Sequence, residues 1–134
     1  MENTESFKYS ELSRKLTTTL NKNEKKNHGI YFTPPQTVYK NIERLAPYMK
    51  DIKNILEPSC GSCEYISQLK EKDVHITGIE LNKTIFESIQ DDEAENITFI
   101  NADYLAYTLD SKFDLIIGNP PYFVMSKKDV EPKY

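Results

Sequence analysis

Apolar residues follow two different rhythms along this chain. Up to about residue 53 they are spaced for helices. Phe7, Leu12, Leu16 and Leu20 recur loosely through residues 6–20, and Val38, Ile42, Leu45 and Met49 follow at steps of four, three and four. Both series suit one face of a helix. Pro34 and Pro35 exclude helix before them and can open one after them, so the second series predicts a helix of about three turns. Between the two, residues 21–28 read as a charged loop. From residue 54 the rhythm changes to short apolar runs separated by amphipathic stretches. Strands are predicted at 54–57, 74–81, 97–100 and 113–118. Helices are predicted within 60–69, after a Gly/Ser turn, and at 82–90, with Asn82 as the N-cap. The acidic run 91–95 reads as a solvated loop. Strands alternating with helices imply right-handed βαβ units, so the fold class is α/β with a parallel sheet of about four strands and an N-terminal helical segment.

A length of 134 residues suits one domain with its own core. No apolar run reaches the ~18 residues of a membrane helix. Met1-Glu2-Asn3-Thr4-Glu5 shows no secretory signal, and two cysteines are too few for a disulfide scaffold. The expected setting is the cytoplasm, or the interior of a virus-infected host cell. Charge is uneven: residues 1–53 carry 10 Lys/Arg against 6 Asp/Glu, and residues 54–134 carry 7 against 15. A basic arm before an acidic body can touch a polyanion, but this excess is too small to identify a nucleic-acid binder.

Four segments at the predicted strand ends carry candidate chemistry. Glu57-Pro58-Ser59-Cys60-Gly61-Ser62-Cys63 is a small-residue turn between strand and helix. Ligands bind there in open parallel sheets, and Gly61 lets a ligand approach the backbone. Glu80, with Leu81 after it, ends the second strand 23 residues beyond Glu57, close to the ~20-residue spacing at which a carboxylate reaches ribose hydroxyls. Asp103 and Tyr104 follow the third strand, offering an acceptor for an exocyclic amine and a stacking face. The strongest signal is Asn119-Pro120-Pro121-Tyr122-Phe123 after the fourth strand. The prolines stiffen the loop, the asparagine oxygen and a proline carbonyl can accept from one amino group, and the tyrosine can stack.

These segments, in this order, resemble the S-adenosylmethionine-dependent DNA adenine-N6 methyltransferases of restriction-modification systems whose cofactor motifs precede the catalytic loop. Gly29-Ile30-Tyr31-Phe32-Thr33-Pro34 sharpens the resemblance, being similar to the methionine-side motif of those enzymes. Glutamine-N5 methyltransferases share Asn-Pro-Pro-Tyr but lack this aromatic-Thr-Pro segment. The resemblance covers residues 29–123. It implies a Rossmann-like methyltransferase fold, S-adenosyl-L-methionine as cofactor and adenine-containing DNA as partner. Residue by residue, it assigns Tyr31, Phe32 and Thr33 to the methionine part of the cofactor. Glu57, Pro58, Ser59, Cys60 and Gly61 form its cradle, with Glu80 and Leu81 at the ribose and Asp103 with Tyr104 at the adenine. Asn119, Pro120, Pro121 and Tyr122 take the catalytic role, Asn119 also bordering the cofactor, and Tyr122 with Phe123 stacks on the flipped target base. No metal is implied.

The resemblance also sets departures and rivals. The family's Gly-x-Gly becomes Gly61-Ser62-Cys63, which costs close backbone approach and creates Cys60-x-x-Cys63. That spacing also suits a thioredoxin-like redox pair or half of a zinc site, although His28 and His75 are isolated. An open α/β sheet of this family has about seven strands, and four are predicted here. Residues 1–28 therefore read as a polar, partly helical arm, and residues 29–134 as the N-terminal portion of a catalytic domain. A C-terminal part or a second chain would complete the sheet, cover its hydrophobic edge and read the DNA sequence. The remaining alternatives are a glutamine-N5 protein or RNA methyltransferase and a cofactor-binding fragment without activity.

Overall fold

The computed structural model describes residues 11–20 and 32–121. Four strands form one sheet: β1 (Asn54–Glu57), β2 (His75–Glu80), β3 (Ile97–Asn101) and β4 (Leu115–Ile116), in the order β3-β2-β1-β4. Every pairing is parallel, with Ile55 opposite Ile76 and Leu115, and Ile76 opposite Ile97. Parallel neighbours require crossover connections, which contain helices from β1 to β2 and from β2 to β3 and none over residues 102–114 before β4. The helices are α1 (Glu11–Thr19), α2 (Pro35–Leu45), α3 (Glu64–Leu69) and α4 (Lys83–Ile89). Both central strands are buried along most of their length, as a sheet covered by helices demands. The core joins Ile55, Ile76, Ile66, Leu69, Ile85 and Ile89 to Val38 and Ile42 of α2 and to Leu16 of α1.

The local signals explain most element boundaries. Pro35 opens α2, and the Asn82 side chain caps α4 by accepting from the Ile85 N–H at 3.1 Å. The predicted helix of about three turns is α2, and past Leu45, with Pro47 next in the chain, the backbone tightens into a 3-10 segment, Ala46–Asp51, that carries Met49. As expected, the segment from residue 60 begins as a turn and continues as helix, which starts at Glu64 because Gly61 and Cys63 take positive φ values of 53° and 64°. Residues 91–95, expected as plain loop, contain part of a 3-10 turn, Gln90–Asp92. The fourth strand is much shorter than the predicted 113–118. Leu115 and Ile116 pair with Ile55 and Leu56 of β1, and the flanking Asp114 and Ile117 N–H groups donate to the Asn54 and Leu56 carbonyls. Among the described residues β4 is an edge strand, with Ile116 60% exposed. Of the predicted N-terminal helix, 11–19 is helical, and residues 6–10 lie outside the described residues, as does the loop 21–28. Among the described residues, no helix is long and apolar enough to cross a membrane.

Candidate active site at the strand ends

The site begins where β1 runs out. Glu57, its last residue, is 3% exposed, and the chain then turns through Pro58 and Ser59 into Cys60. The Cys60 N–H donates to the Ile79 carbonyl at 2.9 Å, pinning the turn to β2. Glu80, at the end of β2, holds the same turn from the side. One of its oxygens accepts from the Gly61 N–H and the other from the Asn82 N–H, both at 2.8 Å. Two carboxylates thus sit on adjacent strand ends, one beneath the turn and one clasping it.

Their environments differ. Burial pushes the Glu57 carboxyl well above the usual carboxylate range, with the neighbouring Cys60 and Glu80 adding to the effect. Its Oε2 is buried without a hydrogen-bond partner, and so is the Ser59 Oγ. Such orphaned groups are expensive in a folded protein and recur where a ligand supplies the missing partner. A small cleft opens here, with a cavity volume of about 30 Å³, room for a group the size of an ammonium or a water. Phe32, Thr33, Glu57, Ser59, Gly61 and Asn119 are among its walls.

Asn119 arrives from β4. The preceding Gly118 lies against Glu57: a Cβ added there would stand 3.3 Å from the Glu57 Cγ and Oε1. The Asn119 amide nitrogen donates to the Thr33 hydroxyl at 3.3 Å, joining two segments 86 residues apart. The structure therefore brings Phe32, Thr33, Glu57, Ser59, Cys60, Gly61 and Asn119 together. Pro58 is half-buried in the same turn, and Pro120 and Pro121 are exposed beyond it. Glu80 touches the cradle through Gly61 but does not line the cleft. Leu81, Asp103 and Tyr104 also lie outside that lining. Leu81 and Tyr104 are exposed, and the Asp103 carboxylate accepts from the Leu105 N–H at 3.0 Å in a turn of its own. Tyr31, Tyr122 and Phe123 lie outside the described residues.

Three cleft residues carried no role in the sequence: Ser62, Glu64 and Tyr65. All are buried, and the Tyr65 hydroxyl accepts from the Asn41 amide of α2 at 2.8 Å. Their place beside Gly61 was the available signal. The two thiols argue against a redox pair. Both are free and buried, and a hydrogen bond with the Cys63 side chain, followed by burial, pushes the Cys60 thiol up. Reactive cysteines need the opposite, a lowered pKa and access.

A parallel sheet in this order, with a small-residue turn and an asparagine loop meeting at its carboxyl ends, defines the class as a Rossmann-like methyltransferase fold. The S-adenosylmethionine-bound amino pentose methyltransferase CalS10 of Micromonospora echinaspora shares that fold. The match has a TM-score of 0.54 at 15% identity and covers 72% of this chain and 41% of that one. The chain belongs to the Eco57I restriction-modification methylase family, whose profile matches residues 5–134. It is 39% identical over 106 residues to the type II methyltransferase M.CvrRI of Paramecium bursaria Chlorella virus XZ-6E, covering 78% of this chain and 27% of the relative. It is 36% identical over 121 residues to modification methylase CviBIII of Paramecium bursaria Chlorella virus NC1A, covering 87% and 32%. The chain thus spans about a third or less of the length of these relatives.

Proposed function

We propose that this chain forms the cofactor-binding portion and catalytic loop of a DNA methyltransferase that moves a methyl group from S-adenosylmethionine to adenine N6. The observation that carries the reading is the convergence of Asn119 and Thr33 over the unpartnered Glu57 carboxylate oxygen. The residues fit the cofactor. A buried carboxylate without a donor suits the ammonium of a methionine moiety, and the Ser59 hydroxyl offers a second polar contact. Tyr31 and Phe32 would border this end of the cofactor. Glu80 and Leu81 would hold the ribose, and Asp103 with Tyr104 the adenine.

When bound, S-adenosylmethionine supplies an electrophilic methyl group on a sulfonium. The chain's own residues then orient the amine that attacks it. The adenine amine is a weak nucleophile because its lone pair is shared with the ring. The Asn119 amide donates through nitrogen to Thr33, an orientation that leaves its oxygen to accept from the target amine. The Pro120 carbonyl would accept the second N–H, and together they would favour a pyramidal nitrogen whose lone pair faces the methyl group. As the nitrogen–carbon bond forms the carbon–sulfur bond breaks, S-adenosylhomocysteine leaves, and the extra proton on the nitrogen passes to water. Proline at 120 and 121 keeps these acceptors fixed in advance, which is where positional catalysis gains its rate. Tyr122 and Phe123 would stack on the base once it has left the duplex. The rest of the domain, on a C-terminal continuation or a second chain, would cover β4 and read the DNA sequence.

The test is transfer of labelled methyl groups to DNA, RNA and glutamine-containing peptide, beside an Asn119→Ala control. Label on adenine N6 that depends on Asn119 is the expected outcome. Label on RNA or on peptide glutamine instead would overturn the substrate assignment.

A further inference from the structure

We propose that Ser13, on the N-terminal helix α1, is a positioning residue for the cofactor-binding turn, acting through Ser62 and Glu64; this rests on the reading of that turn as the cofactor cradle. Three polar side chains meet beneath α1. The Ser13 hydroxyl lies 2.5 Å from that of Ser62 and donates to the Glu64 carboxylate. All three residues are buried, at 1%, 3% and 6% exposure. A hydroxyl carries one hydrogen. Because Ser13 gives its hydrogen to Glu64, Ser62 must be the donor to Ser13. The order is Ser62 to Ser13 to Glu64, and it runs from the turn through α1 to the first residue of α3.

This link reaches the cleft directly, since Ser62 and Glu64 are among its walls. Ser62 also walls a second cavity, about 340 Å³, together with Glu11, Leu12 and Lys15 of α1. The turn therefore borders both the cleft and α1. Leu16 and Leu20 seat α1 in the apolar core, and Ser13 is the point at which the seated helix grips the turn. Without the Ser13 hydroxyl, Ser62 loses its acceptor inside the protein and Glu64 loses one of its contacts. A buried hydroxyl left in that state seeks a new partner, and the turn shifts with it.

The experiment uses the full chain and three variants: Ser13→Ala, Ser62→Ala, and Leu16→Ala as a control that loosens α1 without touching the hydroxyls. S-adenosylhomocysteine affinity is measured by calorimetry, stability by urea unfolding, and exposure of the turn by the labelling rate of Cys60 and Cys63. Ser13→Ala is expected to weaken binding about tenfold and to speed labelling, the cost of an orphaned buried hydroxyl at Ser62. Ser62→Ala removes the same hydrogen bond from the turn and should weaken binding too, so a poorly folding Ser13 variant does not block the test. At matched loss of stability, Leu16→Ala should bind more tightly than Ser13→Ala. Equal losses would make the Ser13 hydroxyl merely structural and overturn the proposal. Wild-type affinity in both serine variants would overturn it while leaving the cradle reading intact. A wild-type chain that protects its thiols yet binds no S-adenosylhomocysteine would overturn the cradle reading and, with it, the proposal.

Discussion

The two ends of β1 each carry a carboxylate, and the two are treated in opposite ways. At the start of the strand, Asp114 reaches across from the approach to β4, and its Oδ2 accepts from the Lys53 and Asn54 N–H groups, both at 2.9 Å. Those bonds hold the Asp114 carboxyl below the usual carboxylate range, although the group is exposed. At the far end, Glu57 is buried, its carboxyl is pushed up by desolvation, and one of its oxygens has no partner. Asp114 is a saturated clamp that fixes β4 on β1, whereas Glu57 is an unsaturated group facing a cleft. Ionisation is favoured where the fold needs an anchor and opposed where a ligand would have to supply the balancing charge.

The largest expected effect follows from removing the unsaturated group. Glu57→Ala should weaken S-adenosylhomocysteine binding by about 10- to 100-fold, the range for a hydrogen bond to a charged partner. Glu57→Gln should also weaken binding while leaving the protein as stable as the wild type or more so, because glutamine cannot adopt the charged form that burial disfavours. Calorimetry and urea unfolding read the two effects separately. Unchanged affinity in both variants would remove the functional half of the comparison.

The pH dependence should have opposite signs at the two ends. Glu57 has a raised pKa in the folded protein, so its contribution to stability is complete below the unfolded carboxylate range and is lost as pH rises through the raised value. Asp114 has a lowered one, so its contribution is present above the unfolded value and is lost as pH falls through the lowered value. Glu57→Gln should flatten the alkaline side of the stability profile and Asp114→Asn the acid side. Binding of a cationic amine requires ionised Glu57, so cofactor affinity should rise with pH through the raised value, with release of a proton. Calorimetry in buffers of different ionisation enthalpy measures that proton directly.

Much of this geometry was legible in local sequence because it depends on backbone rules. The β1 run, the proline start of α2 and the Asn82 cap each follow from a few neighbouring residues, and the structure has them. The fourth strand was overread because only Leu115 and Ile116 reach pairing register with Ile55 and Leu56, and periodicity within 113–118 does not show where register with a partner ends. Glu80 was read as an open acceptor, and its position at the strand end is as expected. That it also clasps Gly61 and Asn82 depends on a turn folding back against it. Ser13 could not have been found. A serine on a helix says nothing of a hydroxyl 49 residues later, and only the folded chain brings them together.

A smaller effect should come from Cys63. Its φ of 64° places an L-residue in left-handed backbone, at a cost of about 1–2 kcal/mol that glycine avoids. Cys63→Gly releases that strain but removes a buried thiol, so stability should change little. The turn gains freedom to approach a ligand, and S-adenosylhomocysteine should bind more tightly. An unchanged dissociation constant would show that Cys63 does not limit the cradle.

The smallest effect, and the sharpest test of the contrast, lies at Asp114. Asparagine can place its amide oxygen where Oδ2 stands and keep accepting from Lys53 and Asn54, so Asp114→Asn preserves the clamp and removes only the charge. Charge at an exposed site is screened by water and salt, so stability near neutral pH should fall only slightly and the difference should shrink further in high salt. Asp114→Ala removes the acceptor as well, which separates hydrogen bonding from charge. The Asp114 N–H also donates to the Asn54 carbonyl at 2.8 Å, and this backbone bond survives both substitutions, so β4 should remain paired. Neither variant should alter affinity for S-adenosylhomocysteine, because the clamp grips the end of β1 opposite the cleft. If Asp114→Asn weakens binding as Glu57→Gln does, then β4 transmits changes at its start to Asn119, and the two carboxylates belong to one coupled site.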